Sequence, residues 1–110
     1  MSLRVTFFGA YGAKLAEARQ TGHDFVTVTN LTTITTAMTT NAASGSKKFT
    51  VNLPVSYQPA DLRALGNLWL SYQTGVQQGL AEQDIMANEV TVALNTSDSL
   101  NTSIDLKFSI

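Results

Sequence analysis

Residues 3–20 read LRVTFFGAYGAKLAEARQ, and the fold turns on how this stretch is divided. Leu3, Val5 and Phe7 alternate with Arg4, Thr6 and Phe8, which predicts a short strand. Gly9-Ala-Tyr-Gly12 then reads as a loop. Ala13 to Gln20 consists of good helix formers, and Gly22 stands where a C-terminal cap belongs. The opening is thus expected to run strand, loop, helix. Phe25-Val-Thr-Val-Thr29 follows as a second, short β-type run.

Working outward, NLTTITTAMTT, residues 30–40, carries six threonines and no charge. Its apolar residues Leu31, Ile34, Ala37, Met38 and Ala42 are three and four apart, which is helical spacing. Asn30 suits an N-cap and Gly45 a stop, so the segment predicts a helix over about 31–43. Threonine is a poor helix former. Such a helix forms only when its Leu/Ile/Met stripe packs on something else. Thr32, Thr33, Thr36, Thr39 and Thr40 then point outward as a semi-apolar face.

Lys48 to Leu53 alternates with Phe49, Val51 and Leu53 on one side, and Pro54 ends the run. Pro59 is expected to open the longest helix, with Asp61 in its first turn. Leu62, Leu65, Trp69, Tyr72, Val76 and Leu80 form its stripe. Whether it continues past Gly75 to about residue 82 is left open, because glycine weakens a helix. Glu89–Leu94 and Ser103–Ile110 both alternate, with turn chemistry at Asn95–Ser99 between them. Ile104, Leu106, Phe108 and Ile110 are expected inside, and Asp105, Lys107 and Ser109 outside.

The order β-α-β-α-β-α-β-β predicts a single α+β domain over residues 1–110. Its sheet is mixed, mainly antiparallel, of about five strands, with two or three helices on one face. The expected core comprises Val5, Phe7, Leu31, Ile34, Met38, Phe49, Val51, Leu53, Leu62, Leu65, Trp69, Val90, Val92, Ile104, Leu106 and Phe108.

Charge narrows the function classes. The chain has 110 residues, of which 14% are charged, and its net charge is −1. A typical soluble domain has about 25% charged residues. Residues 25–46 carry no charge at all. The surface is therefore built from Thr, Ser, Asn and Gln, which are cheap to desolvate and do not hold copies apart. With no cysteine, disulfide and thiolate chemistry are excluded. No apolar run approaches the ~20 residues that span a bilayer. The N-terminus lacks the apolar core of a signal peptide, so the sequons at Asn30, Asn95 and Asn101 are read as unused. The expected location is the cytoplasm or a virion.

Gly9, Gly12 and Lys14 form the sharpest local motif. A strand, a two-glycine loop and a helix start fit a phosphate cradle. However, Leu15 stands where a dinucleotide fingerprint needs a third glycine, and Ala13-Lys-Leu15 is not a P-loop ending. His23 is the only histidine, so zinc ligation has no second nitrogen or sulfur to call on. On a strand, His23 and Asp24 would face opposite ways. Glu82-Gln-Asp84 with Asn88 and Glu89 lacks the spacing of a calcium loop and reads as a solvated connection. Lys47-Lys48 is the sole basic pair, too little for nucleic acid. Gly75-Val-Gln-Gln-Gly79 has the spacing that lets two helices approach closely.

The Thr/Asn/Ala-rich helix, Gly45-Ser-Lys-Lys-Phe-Thr-Val-Asn-Leu-Pro54, Asp61-Leu-Arg-Ala-Leu65 and the terminal hairpin together resemble small uncharacterised proteins of marine bacteriophages. The resemblance lies in motif order over residues 30–110 and brings no catalytic motif. It implies a phage-derived origin and a place in the virion or its assembly. The expectation is a non-catalytic structural or interaction protein that forms a homo-oligomer, with no cofactor, metal, nucleic-acid or membrane partner. Its self-association surface is expected at Thr32, Thr36, Thr39, Thr40, Gly75 and Gly79. The alternative is a binding domain or enzyme for a phosphorylated ligand, held by Gly9, Gly12 and Lys14.

Overall fold

The computed structural model describes residues 2–55, 66–95 and 103–110. Helix α1 runs from Leu3 to Asp24 with no interruption at Gly9 or Gly12. The expected strand at 3–8 and loop at 9–12 are therefore corrected to helix. Ser2 is the N-cap, and its Oγ accepts the Val5 backbone N–H at 3.1 Å, which fills one of the orphan donors of the first turn. A strand here would need a partner for each backbone group, whereas a helix pairs them within the segment. Glycine enters a helix at a cost of about 1 kcal/mol, and Ala10, Ala13, Leu15 and Ala16 offset it. Gly22, expected as a cap, lies inside the helix and buried.

Phe25–Thr29 is likewise not a strand. It winds as a π-helical turn that prolongs α1. The Phe25 carbonyl accepts both the Asn30 backbone N–H at 3.1 Å and the Asn30 side-chain amide at 2.8 Å. Asn30 is buried and holds the N-cap position of the next helix, but its side chain makes no capping bond there. It closes the helix behind it instead. Helix α2, Leu31–Ala43, follows. Gly45 stops it with φ 80°. Gly45 N–H reaches the Ala42 carbonyl at 3.1 Å and Ser46 N–H the Asn41 carbonyl at 2.8 Å, the paired bonds of a Schellman end.

Strand β1 spans Lys48–Pro54, helix α3 Gly66–Glu82, strand β2 Val90–Asn95 and strand β3 Ser103–Ser109. Helix α3 passes through Gly75 and ends at Glu82, which decides the continuation the sequence left open. Pro59, Asp61, Leu62 and Leu65, and the turn around Asp98, lie outside the described residues. Helix α3 also ends in a Schellman pair, with Asp84 N–H on the Ala81 carbonyl and Ile85 N–H on the Leu80 carbonyl, both at 3.0 Å. Here Asp84 takes the left-handed position, φ 64°.

The α+β class stands. Among the described residues the sheet has three strands, all antiparallel, in the order β1-β3-β2, where a mixed sheet of about five was expected. The two missing strands are the N-terminal segments that became helix. Register aligns the core in rungs: Leu53, Ile104 and Leu94; Val51, Leu106 and Val92; Phe49, Phe108 and Val90. Phe49 and Phe108 stack at 5.1 Å. Tyr72, Val76 and Leu80 of α3, Phe25 and Val26 of the π turn, and Ile34 of α2 close over this face. Two residues of the expected core, Val5 and Phe7, are exposed, and so is Ile110, which the alternation of the last strand put inside. The outward face is polar, and there Asn52 Nδ2 donates to Asp105 Oδ1 at 2.7 Å and Asn95 Nδ2 to Asp105 Oδ2 at 3.2 Å. Asp105 thus ties all three strands together.

The molecule is elongated. Its radius of gyration is 15.5 Å and its extents are 59 × 31 × 22 Å, where a compact chain of this length has a radius of about 13 Å. No residue from 2 to 17, in the first part of α1, is buried.

Candidate functional site

Helices α1 and α3 lie side by side in the same direction, and glycines set their distance. A Cβ on Gly75 would overlap the Arg19 carbonyl oxygen and come within 2.9 Å of the His23 nitrogen. One on Gly22 would overlap the Tyr72 carbonyl oxygen, and one on Gly79 would lie 3.0 Å from the Val26 Cβ. The approach is backbone to backbone, close enough for Cα–H···O contacts. The small-xxx-small spacing of Gly75 and Gly79 is therefore spent inside the chain. The surface expected to meet another subunit there is covered by α1.

Gly9, Gly12 and Lys14 sit on the exposed part of α1. Their backbone N–H groups belong to the helical ladder, so no loop cradles a phosphate at this place. Lys14 Nζ stands 3.4 Å from Glu17 Oε1. A strand-to-helix turn was the geometric premise of the ligand site, and the helix removes it.

His23 and Asp24, expected to point apart on a strand, meet on the helix. His23 Nδ1 lies 3.2 Å from Asp24 Oδ1 and Nε2 lies 2.7 Å from Glu82 Oε2. The cluster joins the C-terminal ends of α1 and α3. Hydrogen bonds to Glu82 first, and to Asp24 second, raise the His23 pKa above its usual value, because the imidazolium donates at both nitrogens. With both nitrogens held by carboxylates, neither is placed to take a proton from a nucleophile. Among the described residues no group of three or more His, Cys, Asp or Glu is arranged to hold a metal ion.

The Thr face of α2 is where the sequence puts it. Thr32, Thr36, Thr39 and Thr40 are exposed, as are Thr33 and Thr35. Thr35 Oγ1 donates to the Leu31 carbonyl at 2.7 Å and Thr39 Oγ1 to the Thr35 carbonyl at 2.9 Å. Those hydroxyl donors are already satisfied, which leaves their methyl groups as the cheapest part of the surface to dehydrate.

Two clefts lie near these elements. One, of about 510 Å³, runs between Met38, Ala42, Lys47, Phe49 and Ile110. The other, of about 450 Å³, is walled by Asp24, Phe25, Asn30 and Tyr72 at the π turn. Both have the size of ligand sites, but the first lacks the converging polar groups that orient a ligand. In the second, the Asn30 amide is committed to Phe25 and Asp24 to His23. No helix among the described residues is long and apolar enough to cross a membrane.

One surface escaped the reading of the sequence. Leu3, Val5, Phe7 and Phe8 are more than half exposed on α1. Phe7 stacks on Tyr11 at 5.7 Å, and Arg4 lies 6.0 Å from the Phe8 ring centre. The signal was present: Phe8, Tyr11, Leu15, Ala18 and Gly22 step by 3, 4, 3, 4, a helical stripe that the alternation of Leu3, Val5 and Phe7 masked.

No family model matches the chain, and no curated protein and no solved structure gives a significant match to it.

Proposed function

We propose that this protein is a non-catalytic structural component that assembles with copies of itself, in a phage particle or in the building of one. The observation that carries this reading is the charge-free α2 surface. Thr32, Thr36, Thr39 and Thr40 stand exposed on a helix within a 22-residue stretch that has no charged side chain. Such a face has little hydration to lose and no like charge to repel a second copy. The virion setting rests on the motif order of residues 30–110. Light scattering coupled to size exclusion across a concentration series tests the reading, with a discrete oligomer of fixed mass at micromolar protein as the expected result. Thr36→Glu with Thr39→Glu should lower that mass. A strict monomer at all concentrations overturns the proposal.

A further inference from the structure

The sheet has two edges, and they are treated differently. Ile110 N–H donates to the Lys47 carbonyl at 3.0 Å, which fixes the bonding phase of β1 against β3. In that phase Phe49, Val51 and Leu53 spend their backbone groups on β3, and Lys48, Thr50 and Asn52 turn theirs to the other side. The phase alternates across β3, so Val90, Val92 and Leu94 turn outward on β2. There α3 meets the edge, with Gln73 Nε2 donating to the Val92 carbonyl at 2.7 Å. On β1, Ser46 Oγ donates to the Lys48 carbonyl at 2.9 Å. The outward N–H and C=O groups of Thr50 and Asn52 bond to no described residue. Lys48, Thr50, Asn52 and Pro54 are all exposed.

We infer that two copies of the chain pair through this edge, β1 antiparallel to β1 about a two-fold axis at Thr50, so that two three-stranded sheets become one. The inference rests on the self-association proposed above and gives it an interface separate from the Thr face. An open edge offers backbone donors and acceptors that another extended strand matches. What selects a second copy is that this strand is complementary to itself. Centred on Thr50, Lys48 stands opposite Asn52 of the second copy, and each facing pair can exchange both backbone bonds. Asn52 Nδ2 donates to Ser103 Oγ at 2.9 Å and to Asp105 Oδ1 at 2.7 Å. Both amide hydrogens are thus committed to β3, which leaves Oδ1 to accept from the incoming Lys48 ammonium. Asp105 lies one strand further on in the same row and adds the opposite charge. Among the described residues Lys48 makes no ion pair of its own. Across the axis the two Thr50 side chains meet, and on the core face half-buried Phe49 comes opposite Val51, both favourable cross-strand pairs. Lysine and proline often protect an edge; here they select the register. A slip one way draws Lys48 towards its own copy, like charge against like. A slip the other way brings in Pro54, which has no N–H to give. Identical edges joined on a two-fold axis close and stop there.

The test uses the full chain. The primary readout is hydrogen exchange of the Thr50 and Asn52 amides, followed by NMR across a concentration series. Both should exchange freely at low concentration and become protected as the oligomer forms. Two single variants accompany it. Lys48→Glu sets a carboxylate against the Asn52 carbonyl oxygen and Asp105 of the second copy. Thr50→Pro deletes the donors at the axis, and its N–H is not in the ladder, so an edge proline leaves the single chain intact. Each should lower the mass seen by light scattering and raise the dissociation constant about tenfold, with unchanged far-UV circular dichroism. Should Thr50→Pro fail to fold, Lys48→Glu and the exchange series decide alone. An oligomer whose Thr50 and Asn52 amides exchange equally fast at every concentration overturns the edge pairing and leaves self-association standing. So does Lys48→Glu at the wild-type mass while Thr36→Glu with Thr39→Glu lowers it. Protection already present in the dilute monomer gives the edge to the chain itself and overturns the pairing. A wild type that is monomeric throughout overturns both readings.

Discussion

Replacing Gly75 by alanine should destabilise the protein although alanine is the better helix former. In isolation the change favours the helix by about 1 kcal/mol. In the fold, the new methyl group overlaps the Arg19 carbonyl oxygen and lies 2.8 Å from the Arg19 carbonyl carbon and 2.9 Å from the His23 nitrogen. All three are backbone atoms of a helix, so no side chain can rotate out of the way. Helix α1 has to move off α3. A retreat of about 0.5–1 Å forfeits a quarter to a half of the dispersion energy at each atom left behind. The residues along the seam include Ala18, Val26 and Val76, each fully buried. Overpacking costs about 1–3 kcal/mol, and rigid backbone on both sides places this case at the upper end. Subtracting the helix gain leaves a net loss of about 2 kcal/mol, or about 8 °C in the melting temperature of a domain this size. Urea unfolding followed by circular dichroism measures it. Gly9→Ala and Gly12→Ala are the internal control. An added Cβ meets nothing within 4 Å at either position, so each should stabilise by about 0.5–1 kcal/mol. Were Gly75→Ala also stabilising, the close approach of α1 and α3 would be refuted.

Three further outcomes follow from single sites. Asp84 holds φ 64° at the end of α3, so Asp84→Gly should raise stability by about 0.5–1 kcal/mol in urea titration, glycine having no Cβ penalty there. Leu106 is fully buried at the centre of the middle strand, between Val51 and Val92, and Leu106→Ala should cost about 2–5 kcal/mol, read as the shift of the unfolding midpoint. His23 has its pKa raised by Glu82 and Asp24, so folding takes up a proton between the unfolded value near 6.5 and the higher folded value. The contribution is complete below about pH 6 and fades as pH rises through the folded pKa. Melting curves of wild type and His23→Gln should differ most near pH 5.5 and less as pH rises through the folded pKa, and a difference that widens with rising pH would reverse the assigned sign.

Much of the second half was legible. Phe49, Val51 and Leu53, and Ile104, Leu106 and Phe108, alternate because each strand buries one face, and period two survives in any sheet that covers them. The α2 helix was legible from Leu31, Ile34 and Met38, and its end from Gly45, since few residues but glycine sit easily at φ 80°. The exposed Thr face followed from the same spacing. The phosphate loop failed with the strand that was to precede it. Two glycines in Gly9–Gly12 signal a loop only when the flanking elements differ, and here both sides are one helix.

By itself, then, the sequence determined local periods: which residues share a face, where a left-handed turn ends a helix, and how little charge the surface carries. Tertiary structure alone decided what Gly22, Gly75 and Gly79 are for. A glycine is equally permissive as a cap, a kink or a gap, and only a backbone at van der Waals distance distinguishes them. It also decided the opening stretch. Leu3 to Phe8 can alternate as a strand or wind as a helix, and a strand needs a neighbour. Among the described residues no strand lies beside it, so the segment pairs its backbone within itself and turns Phe7 and Phe8 outward.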